Sequence, residues 1–154
     1  MRKLMVCLSV VAMGLVAGRA SAEDNWVGTW KINAAKSKVG ANSMRTQTLT
    51  FEATADGLKL TSDSTDAEGK PVHGTYTSKF DGKEVPWTGN PMADTATPKR
   101  IDSNNYENVW KMAGKVTVNS KVSVSKDGKT LTINQKGTDA KGKPIDAVAV
   151  YDRQ

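Results

Sequence analysis

The sequence predicts an all-β fold, an antiparallel up-and-down meander of about eight to ten strands closed into a barrel. Three observations carry that expectation. Between Trp26 and Arg153 a helical repeat is nearly absent, while short alternating runs rich in Val, Thr, Ile, Tyr and Trp recur. Turn signals separate the runs, among them Asp56-Gly57, Asp81-Gly82 and Asp127-Gly128, where Gly accepts the positive φ of tight hairpins. A meander this long left open would expose two edges and an apolar face, and closure removes that problem. An open sandwich of two sheets is the competing architecture, which the tightness of most turns disfavours.

In chain order the runs fall at about 26–33, 46–54, 58–65, 71–80, 84–88, 95–101, 106–112, 115–124, 129–137 and 144–152. Alternation puts Trp26, Gly28, Trp30 and Ile32 on one face of the first run and Val27, Thr29 and Lys31 on the other. The second run sets Leu49, Phe51 and Ala53 against Thr48, Thr50 and Glu52, so one face is apolar and one wet. The one long connection, residues 34–43, carries Gly, Asn and Ser and reads as a mostly irregular crossing loop. The segments "TDAEGKPV" (65–72) and "TDAKGKPI" (138–145) are near copies. Each follows an Asp-Gly turn by one strand, and Glu68 is replaced by Lys141. A shared ligand would not readily tolerate that reversal of charge, so the repeat reads as two equivalent hairpin turns.

The N-terminus places Arg2 and Lys3 before the apolar run Leu4 to Val16 and the small residues Ala20-Ser21-Ala22. This is the order of a secretory signal peptide over residues 1–22, with residues 23–154 as a single domain. The apolar run is shorter than the roughly 20 residues that span a bilayer, and no later segment approaches that length. A periplasmic or extracellular location is therefore expected. The sole cysteine, Cys7, falls in the leader, so the mature chain must be held together by its core. Removing Arg2, Lys3 and Arg19 leaves 19 basic against 16 acidic side chains, a net +3. The lysines are scattered and form no basic stripe, so nucleic acid is not an expected partner. A soluble monomer is expected.

Catalytic chemistry finds little to build on, and the expectation is a protein that is not an enzyme. His73 is the only histidine and alternates out of phase with Val72, Gly74 and Tyr76, which reads as an outward strand residue. No zinc set can be assembled from one His and no mature Cys. Neither copied turn has the oxygen-ligand spacing of a calcium loop, and Asp56, Asp81 and Asp127 precede glycines as turn formers do. No metal and no cofactor is expected.

The interior is more informative. If the face of Trp30 points inward, alternation carries Leu60, Tyr76, Asn108, Trp110, Met112, Val118, Ser120, Val122, Ile133, Gln135, Ala147, Ala149 and Tyr151 inward too. A sealed core rarely accepts Asn, Ser and Gln together with aromatic and small residues. The mixture points to a cavity with a few polar anchors. Tyr76, Asn108, Trp110, Ser120, Gln135 and Tyr151 are the candidate ligand-binding residues, and a small hydrophobic or amphipathic molecule is the expected partner. The competing function is an interaction or stress-related protein with little or no cavity, binding a protein or cell-surface polymer through its rim loops. Its motivation is Pro86-Trp87-Thr88-Gly89-Asn90-Pro91, where a Trp between prolines could be an exposed anchor or could fold back to cap the barrel mouth.

"Trp26-Val27-Gly28-Thr29-Trp30-Lys31-Ile32" resembles the opening Gly-x-Trp strand of the calycin superfamily, the lipocalins and fatty-acid-binding proteins. The resemblance implies a lipocalin-like β-barrel whose Trp30 packs across the closed end, with Gly28 permitting close approach. Both are thus structural, barrel-closing residues. Two features depart from the fatty-acid-binding branch. The segment 34–45 is too short for that branch's helical lid, and its terminal Arg-x-Tyr carboxylate clamp is replaced by Ala149-Val150-Tyr151.

Overall fold

The computed structural model describes residues 24–40, 47–66, 68–139 and 141–154, so the leader assigned to 1–22, with Cys7, lies outside the described residues. Ten strands follow in order: β1 (Gly28–Ile32), β2 (Gln47–Thr54), β3 (Gly57–Thr65), β4 (Pro71–Ser78), β5 (Val85–Pro86), β6 (Thr95–Arg100), β7 (Asn105–Met112), β8 (Lys115–Val124), β9 (Thr130–Thr138) and β10 (Pro144–Arg153). Each joins its sequence neighbours antiparallel, except that β5 meets β4 only at its edge. The ends of the chain meet where β1 pairs with β10, through Trp30 opposite Arg153 and Ile32 opposite Tyr151. The result is a nearly closed up-and-down barrel. Its seam is a single antiparallel pair, in which Thr75 and Thr88 exchange backbone hydrogen bonds of 2.9 and 3.0 Å.

Alternation is realised as an inside and an outside. All four tryptophans, all three tyrosines and both phenylalanines lie in the core or against it. Burial of each such ring stabilises the fold by roughly 1.5–3 kcal/mol before ordering costs. Arg153 closes one end: its guanidinium lies 4.2 Å from the centre of the Trp30 ring. The same group donates to the carbonyls of Gly128 and Val27, at 2.6 and 2.8 Å, and to that of Asn25. Trp30 Nε1 donates to the Trp26 carbonyl at 2.7 Å. Gly28 has φ +127°, and a Cβ there would sit 2.7 Å from Arg153 Nη1. Its missing side chain is what lets the arginine reach across.

The two copied turns fold alike at the opposite end. In the first, Asp66 Oδ1 accepts from the backbone N–H groups of Glu68 and Lys70 at 3.0 and 2.8 Å. In the second, Asp139 Oδ1 accepts from Lys141 and Lys143 at 2.8 and 2.9 Å. Gly69 and Gly142, at φ +83° and +79°, take the same left-handed corner. The shared Asp and Gly of the repeat therefore build the turn, and the switched Glu68 and Lys141 supply only their backbone N–H.

Three local expectations are corrected. The first strand begins at Gly28, not Trp26: residues 25 and 26 form a turn, closed by Val27 N–H to the Asp24 carbonyl at 2.9 Å, that still buries the Trp26 ring. The run at 84–88 contracts to two residues, and Pro86 has no N–H to extend the ladder. Met112 is not part of the interior; the register shifts between Trp110 and Lys111, and Met112 is left half-buried near the rim. The long connection also does more than cross. Lys38 bridges Val148 with backbone bonds of 2.7 and 2.9 Å, and Ser37 Oγ accepts from Val150 N–H at 2.9 Å. This segment thus covers the part of β10 that the short β1 cannot reach. The remainder of the expected loop, residues 41–43, lies outside the described residues.

Candidate functional site

The barrel encloses a cavity of about 610 Å³, within the range that holds a drug-sized molecule. Its position follows from strand register. Asn108 on β7 lies opposite Ser120 on β8, Ser120 opposite Gln135 on β9, and Gln135 opposite Ala147 on β10. The polar belt of Asn108, Ser120 and Gln135 crosses three strands at one height, and Ala147 continues the row on β10. Toward the closed end the next inward row is Tyr106, Val122, Ile133 and Ala149. Toward the copied turns it is Trp110, Val118, Gly137 and Ile145. A neutral polar band between apolar rows is what period-two alternation yields when one inward row of amides and hydroxyls is flanked by rows of rings and aliphatic groups.

All six residues expected to face a ligand line this one cavity: Tyr76, Asn108, Trp110, Ser120, Gln135 and Tyr151. Two hydrogen-bonded groups hold four of them, Tyr151 in one and Tyr76, Asn108 and Ser120 in the other. On one side the Tyr151 hydroxyl donates to Gln47 Oε1, and Gln47 Nε2 donates to Ser62 Oγ at 2.9 Å. On the other, Asn108 Oδ1 accepts from Thr97 N–H at 3.0 Å, its Nδ2 reaches the Tyr76 hydroxyl at 3.4 Å, and Ser120 Oγ donates to the Asn108 carbonyl at 3.3 Å. These anchors fix the side-chain orientation before any ligand arrives, which lowers the ordering cost of binding.

Burial pushes the phenols of Tyr76 and Tyr151 upward. Burial again dominates for Tyr106, with the neighbouring Tyr76 adding to the rise. All three stay neutral at physiological pH and act as hydrogen-bonding groups. His73 stands outside this site, exposed on the outer face with Nδ1 2.6 Å from Asp63 Oδ1.

Trp87 is 7% exposed and turned inward, edge-on to Trp110 with ring centres 4.9 Å apart and to Tyr76 at 5.0 Å. It is a wall residue of the cavity, not an exposed anchor. Tyr76, Phe80 and Tyr106 continue the aromatic contacts to Trp26 beneath. Sequence reasoning did not single out Gln47, Ser62, Tyr106 or Trp87 as ligand-binding residues. Alternation contained the first three, since Gln47 shares the face of Leu49, Ser62 that of Leu60 and Tyr106 that of Asn108. Trp87 sits at the end of a two-residue strand, where no period exists to read.

No protein-family profile matches the chain, and no curated protein matches it in sequence. Among solved structures, a de novo designed fluorescence-activating β-barrel is similar at 10% identity and a TM-score of 0.43. The match covers 86% of this chain and 96% of that one.

Proposed function

We propose that this chain is an exported, non-catalytic barrel that holds a small, partly hydrophobic molecule in its interior. The observation that carries the reading is the cavity wall. Neutral hydrogen-bonding side chains, pre-oriented by one another, sit among tryptophan and tyrosine rings around a space of about 610 Å³. That combination of an apolar majority with a few convergent polar groups is the general form of a small-molecule site. Export rests on the charged, apolar and small-residue order of residues 1–22. Kinship with the calycins is proposed on the Gly-x-Trp strand, whose Gly28 and Trp30 lie against Arg153 at one end of the barrel. A non-catalytic role is favoured because the lone histidine lies on the outer face, away from the cavity.

The alternative, binding through rim loops, loses its motivating anchor now that Trp87 is turned inward. The test is titration of the full chain with an environment-sensitive hydrophobic dye, read by dye emission and Trp quenching. Saturable binding is expected. Ala149→Trp, which fills the cavity from β10, should abolish it while leaving the far-ultraviolet β signature. Absence of saturable binding by the dye and by a panel of lipids, pigments and aromatics would sink the proposal.

A further inference from the structure

Charge lies at one level of the cavity only. Among its described lining residues the ionic side chains are Asp66, Asp139, Lys141, Lys143 and Asp146, all in or beside the two copied turns. Asp66 and Asp139 are occupied in bonding their own turns, and Asp146 lies 4.0 Å from Lys136 in a largely exposed pair. Below that rim the described wall offers no cation to a buried anion and no carboxylate to a buried cation. An ion taken into such a space would lose its hydration without a partner, at a cost that exceeds any gain from ring contacts.

The wall nevertheless has hydrogen-bonding capacity left over. The indole Nε1 atoms of Trp87 and Trp110 are buried and have no acceptor among the described residues. Both rings line the cavity, packed edge to face. Trp87 Nε1 lies over Gly74, where a Cβ would come within 3.1 Å of it. One row deeper, the amide of Gln135 borders the cavity with no hydrogen bond to the described protein. Two of these three groups can only donate, and the third can donate as well. A buried donor without an acceptor is costly, so an acceptor brought by the ligand recovers what the wall lacks.

Resting on the ligand-binding reading above, we infer that the ligand is an uncharged, planar aromatic molecule that carries a carbonyl oxygen. The oxygen accepts from the indole N–H of Trp87 or Trp110. The ring system lies among Trp110, Trp87 and Tyr76, where flat apolar faces pack at low entropic cost. A carboxylate on the same ring system would find no cation among the described residues below the rim.

Three congeners on one skeleton test this: acetylpyrene, ethylpyrene and pyrenecarboxylate, titrated into the full chain and followed by pyrene emission and Trp quenching. The ketone is expected to bind at least about tenfold more tightly than ethylpyrene, although ethylpyrene is the more hydrophobic, with the carboxylate weakest. On adding the ketone, the Trp87 or Trp110 indole N–H resonance should move downfield, a readout that needs no variant. Trp110→Phe and Trp87→Phe, which remove an indole N–H, should each reduce the ratio of ketone to ethylpyrene affinity. If ethylpyrene matches the ketone, or the carboxylate binds tightest, or both indole resonances stay put in the ketone complex, the inference is overturned while the ligand-binding reading stands. If none of the three binds while the hydrophobic dye does, the inference is likewise overturned; if the dye and the wider panel fail as well, the ligand-binding reading itself fails.

Discussion

Alkaline pH perturbs this barrel at identifiable atoms. The chain has three tyrosines, Tyr76, Tyr106 and Tyr151, and each is exposed by 3% or less. Burial raises all three phenols above their ordinary value, whereas in the unfolded chain they ionise near pH 10. Between those limits the native state binds more protons than the unfolded one, so stability falls as pH rises. The stabilisation is fully present below about pH 10 and is lost above it. Each phenol held neutral contributes a slope of about 1.4 kcal/mol per pH unit, so three give roughly 4 kcal/mol per unit. Against a typical domain stability of about 5–15 kcal/mol, the fold should fail within about one to four units above pH 10. Ultraviolet absorbance of phenolate and Trp fluorescence, recorded together during a base titration, are the assay. Both should change in one cooperative step, and Tyr151→Phe should lower the slope by about a third. Phenolate absorbance that grows smoothly near pH 10 while Trp fluorescence remains native would refute the reasoning, because it would place at least one hydroxyl in water.

Other outcomes follow from single contacts. Gln47→Leu leaves the Tyr151 hydroxyl and Ser62 without their shared partner and should cost about 1–3 kcal/mol in urea denaturation; adding Tyr151→Phe should recover part of that loss. Asp66→Ala and Asp139→Ala remove matching pairs of turn bonds, so each should lower stability by about 1 kcal/mol, equal within a few tenths. A large inequality would show that the copied turns are not equivalent. Gly28→Ala forces a side chain onto a backbone at φ +127° and into Arg153. It should cost about 1–3 kcal/mol, with the change in Trp fluorescence expected of a displaced arginine over Trp30.

Much of this molecule was legible in the order of its residues, because a barrel wall obeys a period of two. Alternation alone set Tyr76, Asn108, Ser120, Gln135 and Tyr151 on one side of their strands. Turn chemistry then separated those strands, and the same Asp and Gly recur in both copied turns because the corner they make is local. The Gly28 and Trp30 pair was legible as a motif, but its partner was not. That Arg153, at the far end of the chain, would lie over Trp30 depends on β1 closing against β10. No local signal encodes a pairing between the two ends of a chain.

Tertiary structure alone decided the rest. Whether Asn108, Ser120 and Gln135 stand at one height depends on the register of the hairpins that join their strands, and a shift of one residue in either would turn side chains outward. The Trp110/Lys111 irregularity is such a shift, and it removes Met112 from an interior that simple counting had given it. Trp87 turned inward because the chain after β5 bonds back to Thr75 and Asp94, contacts set by the closing of the whole sheet. Local periodicity thus determined which residues could face inward. Register and closure, which depend on contacts distant in sequence, determined which of them meet around one cavity.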